Sequence, residues 1–147
     1  MIPRTEKAGA RRIDRRLERA AAAEQVASLS IRTPSIARPP DTLSGGNQQK
    51  VVVGKWLATA PRILILDEPT KGVDVGAKFE IHNIIRANAA AGLACLLVSS
   101  ELPEVLAIAD RIVVLREGRV RGELSAAEAT EEAVMTLATH EPAGVSA

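Results

Sequence analysis

The chain has 147 residues, of which 46% are apolar and 25% are charged, and its formal net charge is +1. This composition is typical of one soluble domain or of part of a larger one. The near-zero charge, with only one Trp and one Phe, argues against a nucleic-acid partner. A single cysteine, Cys95, excludes an internal disulfide, and two distant histidines argue against a metal cluster.

No apolar stretch approaches the ~20 residues that a membrane-spanning helix needs. The charged start, MIPRTEKAGARR, is not followed by the apolar core of a secretory signal. We therefore expect a cytoplasmic chain whose membrane association, if it has one, comes through a partner.

The first part of the chain predicts two helices. Apolar residues recur at helical spacing from about residue 11 to 29, with Arg and Glu on a solvated face. The proline-rich stretch IRTPSIARPPD then predicts an irregular connector. The second helix is expected to run from an N-cap at Ser44 to about Thr59, closed by Pro61, with Trp56 in the core.

Two short apolar runs, RILILD and LACLLVSS, predict strands at 63–66 and 93–98 that are buried on both faces. A helix over about 76–90 joins them, which predicts a parallel strand–helix–strand unit. Cys95 lies in the second run and is expected to be a buried, inert thiol. The expected core stripe of the joining helix is Phe79, Ile81, Ile84 and Ile85.

The rest of the chain predicts a short helix, a hairpin and a last helix. ELPEVLAIA is the short helix, and RIVVLREGRVRGEL is a hairpin that turns at Glu117-Gly118. The last helix is expected over about 131–139, after Thr130, packed on the sheet. The predicted fold class is α/β.

The stretch LSGGNQQK, residues 43–50, has the composition of an anion-binding loop. Ser-Gly-Gly at the start of a helix lets backbone N–H groups approach a phosphate. The helix dipole contributes only about 0.3–1 kcal/mol, which is too little to select a nucleotide. The usual companion, a G-x-x-x-x-G-K-[ST] stretch, does not occur in this sequence. The residues alone therefore leave open whose phosphate the loop meets.

The stretch RILILDEPT places two carboxylates after a predicted strand. Ligands of α/β proteins gather at the carboxyl ends of parallel strands, where Asp67 would lie. One carboxylate together with substrate phosphates suits Mg²⁺. Glu68, followed by Pro69, could orient or deprotonate an attacking water, which contributes about 10²–10⁴-fold where general-base catalysis applies. Taken alone, the same residues could be a polar turn.

The order LSGGNQQK, LILDEPTKGVDVGAK, LLVSSELPEV, DRIVVLREGR resembles the ATP-binding-cassette (ABC) ATPases. The ending NQQK and the phrase SSELPEV resemble the second nucleotide-binding half of the double-cassette ATPases that import ribose, xylose and galactose. The resemblance runs from about Ile13 to His140. It implies a P-loop NTPase-like cassette that is incomplete, with a partial helical subdomain over 1–60, part of the ATPase core over 61–140 and a disordered tail over 141–147.

The resemblance also implies which residues meet ATP. In ABC proteins two cassettes pack head to tail, and the signature loop of one closes over ATP held by the other. The LSGGNQQK loop would thus meet a phosphate bound elsewhere. Its matching residues are Ser44, Gly45, Gly46, Asn47 and Gln48.

Four further residues match functional positions of the family. Asp67 matches the Walker B aspartate, which acts on Mg²⁺ directly or through water, and Glu68 matches the catalytic glutamate. Asp74 matches the D-loop aspartate at the cassette interface. Ser100 stands where most ABC ATPases have the switch histidine, and its short neutral side chain puts hydrolysis at this site in question.

The implied cofactors are ATP and Mg²⁺. The implied partners are a complementary ATPase half or cassette, transmembrane permease subunits and a sugar-binding protein, with the chain on the inner face of the plasma membrane. The chain alone is expected to hydrolyse little or no ATP, because the phosphate cradle is not in its sequence. It could be part of a sugar-importer ATPase, a non-catalytic half-cassette that lends its signature loop to a partner, or an inactive relic. An unrelated α/β regulatory domain is a further alternative, but it would require four motifs to occur in this order by chance.

Overall fold

The structure, a computed structural model, describes residues 14–139. The chain divides into two compact units with the boundary between Leu96 and Leu97. The predicted subdomain boundary near residue 60 stays a prediction. Predictions for earlier and later residues, including the tail over 141–147, lie outside the described residues.

The first unit holds the two predicted N-terminal helices and the strand–helix–strand segment. Asp14 begins the first helix by accepting hydrogen bonds from the backbone N–H groups of Arg16 and Leu17. The connector is irregular, as predicted, apart from a single 3₁₀ turn at Pro40–Thr42. The elements are α1 (Arg15–Ser28), α2 (Gly45–Leu57), β1 (Ile63–Asp67), α3 (Val75–Ala90) and β2 (Ala94–Val98), whose last two residues pass the unit boundary.

Strands β1 and β2 are neighbours in a two-stranded sheet. The backbone N–H of Ala94 donates to the carbonyl of Arg62 at 3.3 Å, so both strands begin at the same end of the sheet. They therefore run parallel, as the sequence predicted. Cys95 is half-buried in β2, and burial raises the pKa of its thiol, which keeps the thiol neutral.

Burial of these strands on both faces was a wrong prediction. Leu64 and Leu66 are buried, whereas Ile63 and Ile65 are 64% and 66% exposed. Successive side chains of a strand point to opposite faces. Within the described residues, then, only one face of β1 is covered.

Helices α2 and α3 bury one stripe each. The expected core positions Trp56 and Phe79 were wrong: their side chains are 52% and 64% exposed. Phe79 lies two residues after buried Ala77, which is about 200° around the helix. Trp56 lies beside the stripe of α2, where the ammonium of Lys55 covers its ring at 5.4 Å. The buried residues are Gly46, Lys50, Val53 and Gly54 in α2, and Ala77, Ile81 and Ile85 in α3.

The second unit begins with α4 (Leu102–Ile108) and continues with β3 (Arg111–Arg116) and β4 (Arg119–Ser125). The two strands pair antiparallel, with a register shift between Val114 and Leu115. Glu117 and Gly118 turn the hairpin with φ of +52° and +72°. Positive φ at both turn residues is typical of a type I′ hairpin turn, which confirms the predicted turn.

The last element, α5 (Glu131–Thr139), packs on β3 and β4, as predicted. Thr130 begins it by accepting a hydrogen bond from the N–H of Ala133 at 3.1 Å. Ile112 and Val114 of the hairpin and Val134 of α5 form the buried core of this unit. Among residues 14–139 there is no candidate for a membrane-spanning helix.

Candidate functional site

Helices α2 and α3 start side by side. A Cβ atom on Gly46 would lie 2.3 Å from the Cβ of Ala77, so the first turns of the two helices are in close contact. One turn further along both helices, the ammonium of Lys50 contacts the carboxylate of Glu80 at 2.8 Å. Because the two pairs advance in the same direction along each helix, α2 and α3 run parallel. The signature loop (Ser44–Gln48) and Asp74, which precedes α3, are thereby brought to the same end.

The start of α2 is not capped by a side chain. Ser44 is its N-cap, with extended backbone at φ −62° and ψ 153°, and makes no side-chain capping bond. Its hydroxyl oxygen instead accepts a hydrogen bond from the amide of Asn47 at 2.8 Å. In an ordinary capping box that hydroxyl would accept from a backbone N–H of the first turn. The N–H groups that begin α2 are thus not used by Ser44.

The two glycines of the loop have different surroundings. Gly46 is buried, and its contact with Ala77 requires a residue without Cβ. Gly45 is exposed, and, its own helical turn and chain neighbours aside, no atom of residues 14–139 lies within 4 Å of the place its Cβ would take. Packing within the chain explains Gly46 but not Gly45. A glycine in open space suits the close approach of something outside the chain.

The side chains of Asn47 and Gln48 are engaged within the chain. The Oδ1 of Asn47 accepts from the backbone N–H of Arg32 at 2.8 Å. The Nε2 of Gln48 donates to the carbonyl of Leu43 at 2.8 Å. The two side chains therefore fix the loop against the connector that precedes it.

The start of α3 is capped by Asp74, unlike the start of α2. Its Oδ1 accepts a hydrogen bond from the N–H of Ala77 at 2.9 Å, and a carboxylate also suits the positive end of a helix. Sequence reasoning gave Asp74 only an interface role. An Asp just before a helical pattern is a recognised N-cap signal, so this function could have been found.

Lys50 is a site residue that sequence reasoning missed. Its side chain is 1% exposed, and its ammonium donates to the carbonyl of Ser30 at 2.7 Å and to Glu80. Ser30 has φ of +50°, a left-handed conformation at the connector turn. The available signal was position: Lys50 lies four residues after Gly46 and so on the same helix face.

Glu80 balances this buried charge. The hydrogen bond from Lys50 and its positive charge hold the pKa of Glu80 below the usual range, and Arg32 at 3.4 Å adds to this. Partial burial and the charge of Asp74 act the other way. Glu80 is therefore ionised at neutral pH and links α3 to α2 and to the connector.

Asp67 and Glu68 lie where the sequence predicted, at the end of β1. Asp67 is the exposed last residue of the strand. Glu68 is half-buried with φ of +48°, and its carbonyl accepts from the N–H of Lys71 at 3.2 Å. A non-glycine residue in this conformation is strained by about 1–3 kcal/mol, and such strain often accompanies function.

The residues at this strand end suit one kind of metal site. Among residues 14–139 no group of three or more His, Cys, Asp or Glu side chains could hold a metal ion. The Asp67 carboxylate could serve as one ligand of Mg²⁺, which usually takes one or two carboxylates together with substrate phosphates.

Ser100 lies in the second unit and is exposed, two residues after the end of β2. The segment around it is held by its neighbour Ser99. The Ser99 hydroxyl accepts from the N–H of Glu101 at 3.0 Å and donates to the buried carboxylate of Glu104 at 2.5 Å. Sequence reasoning did not identify this Ser99–Glu104 contact.

Residues 3–71 match the ABC transporter family. The chain belongs to this family and is a partial ATP-binding cassette. This confirms the family resemblance and the α/β cassette fold that the sequence predicted.

Two curated relatives carry sugar-import names. The chain is 54% identical to the ribose import ATP-binding protein RbsA 2 of Streptomyces avermitilis over 127 residues, which cover 86% of this chain and 25% of the relative. It is 59% identical to the xylose import ATP-binding protein XylG of Moorella thermoacetica over 114 residues, or 78% of this chain and 23% of the relative. The chain thus spans about a quarter of the length of these relatives.

A solved structure shows the same fold. The dimeric ATP-binding cassette MJ0796, in a post-hydrolysis state bound to ADP and Pi, superposes with a TM-score of 0.70. The match covers 85% of this chain and 54% of that chain at 24% identity. At this identity the likeness shows the fold alone.

Proposed function

We propose that the chain forms part of the ATP-hydrolysing subunit of a bacterial ABC importer for monosaccharides. The observation that carries this proposal is the start of α2, where Ser44 makes no capping bond and Gly45 lies in open space. Such a start suits a phosphate that another polypeptide segment holds. The names of the ribose and xylose relatives support the substrate class.

The loop and the acidic strand end would have separate roles. The signature loop would close over the phosphates of ATP bound to a second cassette. Asp67 would hold Mg²⁺, directly or through water, and bound Mg²⁺ would neutralise phosphate charge. Glu68 would orient and deprotonate the attacking water. Asp74 would lie at the cassette interface, and Ser100 would take the switch position with a hydroxyl.

The proposed assembly contains a complementary ATPase half or cassette, transmembrane permease subunits and a sugar-binding protein. The subunit would lie in the cytoplasm on the inner face of the plasma membrane. The family match and the relatives' names support a subunit of this general kind. The partial helical subdomain over 1–60 and the ATPase core over 61–140 remain proposed divisions of the chain.

A second candidate is a non-catalytic half-cassette that lends its signature loop to a partner's ATP site. Ser100 favours it, because a neutral hydroxyl replaces the histidine that most ABC ATPases have at the switch position. The two candidates differ in whether Glu68 contributes to turnover.

ATP turnover of the native gene product with its ATPase partner separates them. Under the main proposal, Glu68→Gln should lower hydrolysis at this site by about 10²–10⁴-fold and leave ATP binding intact. Glu24→Gln, the same change on the exposed face of α1, is the matched control and should change neither. Nucleotide binding is measured separately by calorimetry.

Ser44→Arg completes the test, because its long side chain would fill the space in front of the loop. It should lower turnover under both candidates. If Glu68→Gln leaves turnover unchanged while Ser44→Arg lowers it, the half-cassette is the correct assignment. If neither variant changes turnover, both candidates are wrong.

A further inference from the structure

The Asn47 side chain lies between two hydrogen-bond partners. Its Nδ2 donates to the hydroxyl oxygen of Ser44, and its Oδ1 accepts from the backbone N–H of Arg32, each at 2.8 Å. Asn47 thus links the Ser44 hydroxyl to the connector.

The chemistry of Arg32 fixes the orientation of this amide. A backbone N–H can only donate, so the atom of Asn47 that faces it must be the carbonyl oxygen. The amino group of Asn47 must then face Ser44. Since that amino group only donates, the Ser44 oxygen is an acceptor in this bond. The hydroxyl proton of Ser44 therefore remains to be donated to another group.

The connector that supports Asn47 is itself anchored. The guanidinium of Arg32 contacts the carboxylate of Glu80 at 3.4 Å, and the other carboxylate oxygen contacts buried Lys50 at 2.8 Å. Lys50 also donates to the carbonyl of Ser30 at 2.7 Å. These contacts link the connector that carries the Arg32 N–H to α2 and α3. The Asn47 amide is therefore held by a segment that is tied to both helices.

We propose that Asn47 is a positioning residue that fixes the Ser44 hydroxyl as a hydrogen-bond donor toward an anionic ligand. The inference rests on the proposed function, in which that ligand is a phosphate of ATP held by another cassette. A phosphate offers only acceptors, so a serine that must donate is matched to it. Asn47 then acts through Ser44 rather than through a contact of its own with the nucleotide.

Asn47→Asp is the most direct variant. A carboxylate of the same shape still accepts from the Arg32 N–H, but its other oxygen takes the Ser44 proton and adds negative charge at the loop. We expect ATP turnover of the native assembly to fall about tenfold or more, with a rise in the KM for ATP. Gln49→Glu adds the same charge within the same helical turn, away from the Ser44 bond, and is the matched control that should change turnover by less than about twofold.

The decisive measurement combines these changes with Ser44→Ala. If Asn47 acts through Ser44, then Asn47→Ala in the Ser44→Ala background should change turnover by less than about twofold, and Asn47→Asp should lower turnover there no more than the charge control Gln49→Glu does. A full additional loss in that background, or no effect of either Asn47 variant alone, would overturn the inference. If Ser44→Ala itself leaves turnover unchanged, the proposed function of the loop fails instead. If Asn47→Asp does not fold, the double-mutant cycle with Ser44→Ala can still be completed with Asn47→Ala.

Discussion

Two helices of the first unit begin side by side, and their first turns are completed in different ways. At the start of α3, Asp74 places its carboxylate on the N–H of Ala77. At the start of α2, Ser44 makes no such bond, and its hydroxyl is taken up by the side chain of Asn47. One positive helix end is therefore capped by a side chain, while the other has no side-chain cap. In the proposed function this second end would meet an anion, which a carboxylate at position 44 would repel and a serine would not.

The contact between the two helices depends most on the Lys50–Glu80 ion pair. Glu80→Ala should lower the free energy of unfolding by about 2–3 kcal/mol, because it leaves the ammonium of Lys50 buried with one partner. This loss is smaller than the one expected for a fully buried ion pair, because the Glu80 side chain is 39% exposed and water can reach it. Urea unfolding of the native gene product measures it.

The control for this prediction is the exposed pair Arg111–Glu123 of the second unit, at 3.0 Å. Glu123→Ala should cost less than about 1 kcal/mol, because both side chains are more than half exposed. Equal losses from the two variants would contradict the importance given to the buried pair.

The close contact of the two first turns gives the next largest effect. Gly46→Ala should cost about 1–3 kcal/mol, because the new methyl group would overlap the side chain of Ala77. Ala77→Gly removes that overlap. The double variant should therefore lose less unfolding free energy than the two single variants lose together. Thermal unfolding of the three variants tests the contact, and strictly additive losses would show that these turns do not touch.

The two N-caps should differ in their contribution to stability. Asp74→Ala should cost about 1 kcal/mol through loss of its capping bond. Ser44→Ala should change the free energy of unfolding by less than about 0.5 kcal/mol, because Ser44 makes no capping bond and the hydrogen bond it accepts from Asn47 is exposed to solvent. Urea unfolding of the pair provides the measurement. A larger loss for Ser44→Ala would mean that its hydroxyl serves the fold.

The sequence predicted most of the elements because local chemistry determines them. Short apolar runs marked β1 and β2, and Glu117-Gly118 marked the hairpin turn that needs positive φ. The candidate positions Asp67 and Glu68 followed from a strand end. These signals lie within a few residues of the features they predict.

Burial and side-chain partners could not be predicted in the same way. Phe79 is apolar and helical, yet exposed, because burial depends on which face meets another element. Lys50 is a cation that becomes buried only because Ser30 and Glu80, 20 and 30 residues away, supply oxygens. The orientation of Asn47 depends on Arg32, 15 residues away. Contacts at such separations have no local signal.

Gly45→Ala tests most directly whether the start of α2 serves a ligand rather than the fold. A methyl group at this position would contact no other element in the described part of the chain, so the free energy of unfolding should change by less than about 0.5 kcal/mol. It would stand between the backbone and a bound phosphate, so ATP turnover of the native assembly should fall at least about tenfold. Unchanged turnover at unchanged stability would contradict the assignment of this loop to a nucleotide.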